Sequence, residues 1–290
     1  MKNDDFDVDL LHKAVEYGNN LGASFMEARY DNLVLTSLSK VNGQLEKAGT
    51  KLRKGIGIMA YYEGTEGASF TPDLTLKGIN KAVKTAFAIA KASSGKNTLK
   101  LPIAARSMIK QKIASRGKTH PRDVEIGSKI ALLDRIDDSM REILELKASR
   151  ALYGEYWGDK IFVNSEGTEI EWHPLITNIG GLAIGVNDSG NQVMGIKQSV
   201  SSLGLEFFDL DDTSPEFVGT TAGKYCKTNL DAKAIKSGKY KTLVGPMLTG
   251  VLAHESFSHI RESDRIVNGV SPLAGELGNQ LGTKHATIID

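Results

Sequence analysis

His254-Glu255-Ser256-Phe257-Ser258-His259 sets two imidazoles and a carboxylate within six residues, directly behind the apolar run at 248–253. Neutral imidazole nitrogen is a good ligand for Zn²⁺ and other borderline metals. A carboxylate beside the first ligand is placed to act as general base on a metal-bound water, the arrangement of the shorter HExxH helices. Here the two histidines stand five residues apart instead of four. At about 100° per residue, an i,i+4 pair lies roughly 40° apart around a helix and an i,i+5 pair about 140° apart. A regular helix splays these histidines, so the motif gathers only if the helix kinks, carries a π-turn or ends near His259. Leu252 and Phe257 are expected to face a core, while Ser256 and Ser258 are small enough not to crowd a ligand.

The residues on either side extend the pattern. His254-Glu255-Ser256-Phe257-Ser258-His259-Ile260-Arg261-Glu262-Ser263-Asp264 resembles the HEAxGHxxExD signature of the TldD/PmbA metallopeptidase family, in its metal-binding TldD branch. The likeness continues into Gly275-Glu276-Leu277 and Ile288-Ile289-Asp290, and back through Lys54-Gly55-Ile56-Gly57-Ile58, Gly67-Ala68-Ser69-Phe70-Thr71 and Val163-Asn164-Ser165-Glu166-Gly167. Two departures stand out: Ser258 where the family has a glycine before the second histidine, and Arg261 where small or apolar residues are usual.

The resemblance implies a metal-dependent peptidase subunit acting on peptides or unfolded polypeptide. His254 and His259 would hold Zn²⁺ or a similar divalent ion, and Glu255 would take a proton from the bound water. A further ligand, a cysteine, is implied far downstream, beyond Asp290, so the chain alone is not expected to be a competent peptidase. The resemblance also implies a homo-oligomer, or a heterodimer with a related subunit lacking HExxxH, with substrate extended along a strand edge. A non-catalytic peptide-binding or assembly subunit with an incomplete metal site is the alternative.

Composition sets the limits. The 290 residues leave room for about two domains and a sizeable core. With 36 basic against 35 acidic residues there is no basic footprint for nucleic acid. The single Cys226 excludes a disulfide within the chain and suits a reducing cytosol. The amino terminus is acidic and has no apolar stretch of the kind a signal peptide needs. No apolar run approaches the ~18 residues of a membrane helix, so a cytoplasmic location without a membrane partner is expected.

Periodicity gives an α+β chain, antiparallel sheets flanked by helices in two amino-terminal units, and the resemblance implies that the start of a β-rich domain carrying the HExxxH helix follows. The expected units are 1–105, 106–235 and 236–290. Helical spacing marks 8–21, 73–92, 121–147 and, opened by Pro215, 215–230. Strand-type segments fall at 25–30, 33–40, 54–62, 151–157, 160–164, 168–172, 176–186, 192–202 and 240–244. Asn42-Gly43 reads as a hairpin turn, and the basic stretch 96–119 reads as a connector.

Other residues have chemical potential of their own. Gly219-Thr220-Thr221-Ala222-Gly223-Lys224-Tyr225 imitates a phosphate loop but has three residues between its glycines and Tyr225 where Ser or Thr should stand. Gly55 and Gly57 lack the third glycine of a dinucleotide fingerprint and point to close backbone packing. Cys226 is the lone thiolate candidate for a third ligand, but on a helix of the middle unit it reads first as a small buried apolar residue. Glu262 and Asp264 are candidates for supporting or extra ligand roles, and His285 lies outside any pattern. His12, His120 and His173 are read as surface or capping histidines.

Overall fold

Asn42 and Gly43 take positive φ, 51° and 76°, which is the twist a two-residue hairpin requires. In this computed structural model, which describes residues 6–95, 107–233 and 235–289, that turn joins two long antiparallel strands. The amino-terminal elements are α1 (Asp9–Asn20), β1 (Phe25–Val41), β2 (Gln44–Tyr62), β3 (Thr65–Thr71) and α2 (Leu76–Ser94). After them come β4 (Lys110–Ile113), α3 (Ile126–Arg141), β5 (Ala148–Asn164), β6 (Glu169–Trp172), β7 (Leu175–Val186), β8 (Gln192–Ser201) and α4 (Pro215–Leu230).

The eight strands among the described residues form one sheet in the order β3-β2-β1-β5-β6-β4, with β7 on β5 and β8 on β7. Every pairing is antiparallel except β4 with β6. β5 changes its outer partner partway along: residues 148–157 pair with β7 and 160–163 with β6. Gly158 sits at the change, its N–H donating to Pro174 O at 3.3 Å. A Cβ at that position would lie 2.0 Å from Asn32 O, so only glycine lets β5 run this close to β1.

Side chains alternate across a strand with period two, and the even positions of β1 carry the core. Met26, Ala28 and Tyr30 pack under α1 and α2 with Ile56, Ile58, Ile79 and Val83. Leu38 belongs to a second cluster with Leu133, Ile136 and Met140 of α3, Val218 and Ala222 of α4, and Ile179. Both helix pairs therefore cover the same face of the sheet. This is the α+β class read from the sequence, with the antiparallel strands continuous across the middle of the chain.

Two glycine readings resolve differently. A Cβ on Gly55 would strike the Phe70 ring at 2.4 Å, whereas one on Gly57 meets nothing within 4 Å. The phosphate-loop imitation lies inside α4 and is a packing feature: a Cβ on Gly219 would lie 2.3 Å from Ile136 O. The tightest such contact between a strand and a helix is Gly195 of β8, where a Cβ would meet Ala222 O at 2.0 Å and Cys226 N at 2.3 Å. Gly195→Ala is expected to cost about 1–3 kcal/mol, as overpacking does. In a urea melt that should appear as a lower midpoint at unchanged slope.

A buried ion pair lies under α3. Lys129 Nζ reaches Glu155 of β5 at 2.7 Å, with the two side chains 6% and 2% exposed. Glu155 also accepts from Thr36 Oγ1 at 2.9 Å, Tyr153 OH at 2.5 Å and Trp157 Nε1 at 3.2 Å. Burial by itself would raise the Glu155 pKa. The hydrogen bonds from Lys129 and Tyr153 and the Lys129 charge outweigh it and hold the carboxyl below its ordinary value.

The described residues divide into two compact units, the sheet unit of 6–95 and 107–233 and a second of 235–289. The expected domain boundary at 105/106 and the first part of the 96–119 connector lie outside the described residues. From 107 onward that connector contains β4. The second unit is helical and irregular: α5 (Pro246–Ala253), a π-turn, a 3-10 turn and α6 (Ser263–Val267). Residues 240–244, expected as a strand, are irregular. A strand needs a neighbour for its N–H and C=O groups, and this unit has no strand among its described residues.

Candidate metal centre

α5 begins at Pro246, with Gly245 before it at the N-cap. Regular α-helix ends at Ala253, and His254–Ser258 form a π-turn. His259 N–H donates to His254 O, closing the backbone over five residues instead of four. This turn brings residue i+5 over residue i. Of the three ways in which HExxxH can gather, the chain uses the π-turn, followed at once by a 3-10 turn at His259–Arg261. A local cause lies in Ser256, whose Oγ donates to the Leu252 carbonyl; back-bonding of this kind bends helices.

The consequence is a compact donor set. The His254 and His259 rings meet edge to face with centroids 4.5 Å apart. Ligand-capable atoms of His254, Glu255 and His259 all lie within 4.8 Å of one another, and among the described residues no other group of three or more metal-capable side chains gathers so. Donors around a tetrahedral zinc stand about 3–3.5 Å apart, given Zn–N distances near 2.0–2.1 Å. Two imidazoles and one carboxylate are donor types that suit a borderline divalent ion. His259 Nε2 lies 3.7 Å from Glu255 Oε2, and all three side chains are open to solvent to some degree.

Behind His259 stands Glu262, whose Oε1 lies 2.8 Å from His259 Nδ1 and whose Oε2 accepts from Arg265 Nε at 3.2 Å. The His259 hydrogen bond, then the Arg265 contact, holds the Glu262 carboxyl below its ordinary pKa. Sequence reasoning singled out Glu262 but missed Arg265, although their i,i+3 spacing on a helix start was a readable signal. It also missed Ser271, whose Oγ donates to Ile260 O and accepts from Leu273 N at 3.1 Å. Ser271 ties the end of the motif to the loop that follows.

Leu252 and Phe257 do not pack into a core in this unit. Leu252 is 49% exposed and Phe257 is partly exposed. Ser271 is the only buried residue among those described in this unit, so 235–289 offers no apolar interior to receive them.

The remaining candidates fall elsewhere. Asp264 and His285 are exposed and outside the donor set. Cys226 is fully buried in α4 of the sheet unit with its thiol pushed up by burial, the structural reading given above. His12 pairs with Glu169 at 2.7 Å, and His173 bridges Asp159 at 2.7 Å and Glu171 at 2.9 Å. His120 caps the 3-10 turn at Pro121–Asp123, its Nδ1 accepting from Arg122 N–H at 3.1 Å. Burial, and then the Arg122 charge, lower its pKa.

Family models match three successive stretches: PmbA/TldA metallopeptidase domain 1 over 27–90, the central domain over 119–230 and the C-terminal domain over 237–290. The chain belongs to the PmbA/TldD family. Relatives within it include a metalloprotease of Methanocaldococcus jannaschii, 24% identical over 86% of this chain and 54% of its own length. Another, a metalloprotease TldD homolog of Haemophilus influenzae, is 23% identical over 98% of this chain and 57% of its own. The chain thus spans a little over half the length of these curated relatives. TldE from Thermococcus kodakarensis matches 93% of this chain and 59% of its own with TM-score 0.61 at 14% identity, a likeness of fold. A Bacteroides thetaiotaomicron structure described as a candidate modulator of DNA gyrase gives 0.71 over 94% of this chain and 61% of its own, also at 14% identity. Among the described residues of this PmbA/TldD chain, no helix is long and apolar enough to cross a membrane.

Proposed function

We propose that this chain is the metal-binding part of a peptidase that hydrolyses peptides or unfolded polypeptide, with His254 and His259 holding a Zn²⁺-like ion and Glu255 acting as general base. The observation that carries this reading is the π-turn, which sets the i,i+5 histidines and the intervening carboxylate on one side of the helix. A metal held there would supply Lewis-acid polarisation of the scissile carbonyl and acidify a bound water. The chain's own residues do the rest. His254 and His259 present ring nitrogens, and His259 has its Nδ1 engaged by Glu262. Glu255 Oε2, on the His259 Nε2 side at 3.7 Å, takes a proton from the attacking water and returns it to the leaving amine.

Catalytic zinc usually takes three protein ligands and keeps one position for water. With Glu255 as base, the gathered set offers two. A third donor from outside this set, and assembly as a homo-oligomer or with a related subunit lacking HExxxH, complete the proposal. A cytoplasmic setting suits the lone buried thiol. The two-ligand count also favours a second reading, a peptide-binding or assembly subunit that holds metal without turnover.

His254→Ala and His259→Ala are each expected to weaken zinc binding at least ~10-fold, the lower end even for disturbed supporting residues. Competition with a chromophoric chelator measures this, and wild-type affinity in both variants would end the metal reading. Hydrolysis of an unstructured peptide by the zinc-loaded assembly separates the two readings.

A further inference from the structure

An imidazole can bind metal through either ring nitrogen, and which one is free depends on what the other holds. At His259 the Nδ1 atom lies 2.8 Å from Glu262 Oε1. An ionised carboxylate only accepts, so in the neutral ring this bond requires the proton on Nδ1 and leaves the Nε2 lone pair open. Nε2 is also the nitrogen that faces Glu255.

Glu262 is itself held in place. Its Oε2 accepts from Arg265 Nε at 3.2 Å, and its backbone carbonyl accepts from Arg265 N at 3.1 Å and Ile266 N at 3.2 Å, starting α6. Its φ and ψ, −55° and 130°, break the helix between the 3-10 turn and α6. That break lets a side chain three residues past His259 reach back to the ring while the next helix begins.

The geometry points to Glu262 as a positioning residue, which fixes the His259 ring with Nδ1 protonated and Nε2 turned to the metal, with Arg265 clamping Glu262 from behind. The inference rests on the metal-site reading above and adds a role for two residues outside the HExxxH stretch. Carboxylates that orient a ligating histidine typically contribute 10–100-fold to metal affinity.

Two measurements on the 290-residue chain test it. The first is the ¹⁵N NMR signature of the His259 ring in the metal-free protein. Wild type should show the Nδ1–H tautomer, and Glu262→Ala should shift the ring toward Nε2–H. Glu262→Gln, whose amide oxygen still accepts, should keep Nδ1–H. A merely structural surface ion pair has no reason to move this signature. The second is zinc affinity by chelator competition: about 10–100-fold weaker for Glu262→Ala, with most of the loss recovered in Glu262→Gln.

Wild-type affinity in Glu262→Ala, beside a loss in His259→Ala, would remove the role of Glu262 and leave the metal site standing. A Gln variant that keeps the tautomer yet binds as poorly as the Ala variant would make Glu262 a ligand, overturning positioning. Wild-type affinity in His254→Ala and His259→Ala as well would bring down the metal reading with it.

Discussion

Glu255→Gln should leave the metal in place and cut peptide hydrolysis by about 10²–10⁴-fold in the active assembly, the range general-base assistance supplies. The amide has nearly the shape of the carboxylate, so the edge-to-face packing of His254 on His259 is undisturbed and both imidazoles remain. What is lost is the acceptor for the proton of the attacking water. Metal content measured beside turnover makes the outcome decisive. A metal-free Glu255→Gln protein would move Glu255 into the ligand set. Full activity in a metal-loaded variant would require another base.

The second large effect lies in the sheet unit. Lys129→Met leaves the Glu155 carboxylate under α3 without its counter-charge, and breaking a buried pair from one side costs about 3–5 kcal/mol. Lys129→Met/Glu155→Leu should be less destabilised than that single variant, because no buried charge is left behind. The pH dependence follows from the lowered Glu155 pKa. A carboxyl whose folded value lies below its unfolded value stabilises the fold above the unfolded value, and this contribution fades as pH falls through the folded one. Wild type should therefore lose stability on acidification below about pH 4.5, and the double variant should have a flatter profile over that window. Urea melts at neutral and acid pH read both effects, and a Lys129→Met cost under about 1 kcal/mol would show the pair to be immaterial.

What was legible in the sequence follows from how much each segment buries. α4 was readable to the residue, because Ser214 caps Phe217 N at 3.2 Å, Pro215 takes the first turn and the apolar face is regular. Asn42-Gly43 was readable because a turn with two positive φ values admits few other residues. The first half of β2 was not: Gln44 to Arg53 is exposed throughout, so it carries no alternation to read. Its strand character comes from pairing with β1. β5 looked like two strands because Gly158 interrupts the pattern, and only the close approach of Asn32 O explains that glycine. In the candidate site the spacing forced a distorted helix but could not choose its form. The choice depends on the Ser256 back-bond and the Glu262 break, which are matters of local hydrogen bonding. Leu252 and Phe257 mark the limit of such a reading, because hydrophobicity names a side chain that prefers burial without supplying the neighbours that bury it.

The pairing of β1 with β5 also sets an order of events in time. β1 finds one neighbour almost at once, since β2 follows across a two-residue turn, but its other edge pairs with residues more than a hundred positions later, as in Tyr30 with Ile161. On the ribosome the hairpin therefore exists for some seconds with a bare edge, at elongation rates of about 5–20 residues per second. Long-range pairing of this kind is slow, and an unsatisfied strand edge invites other chains. A fragment that stopped after α2 would keep that edge permanently and should aggregate, whereas synthesis past Asn164 closes it from within.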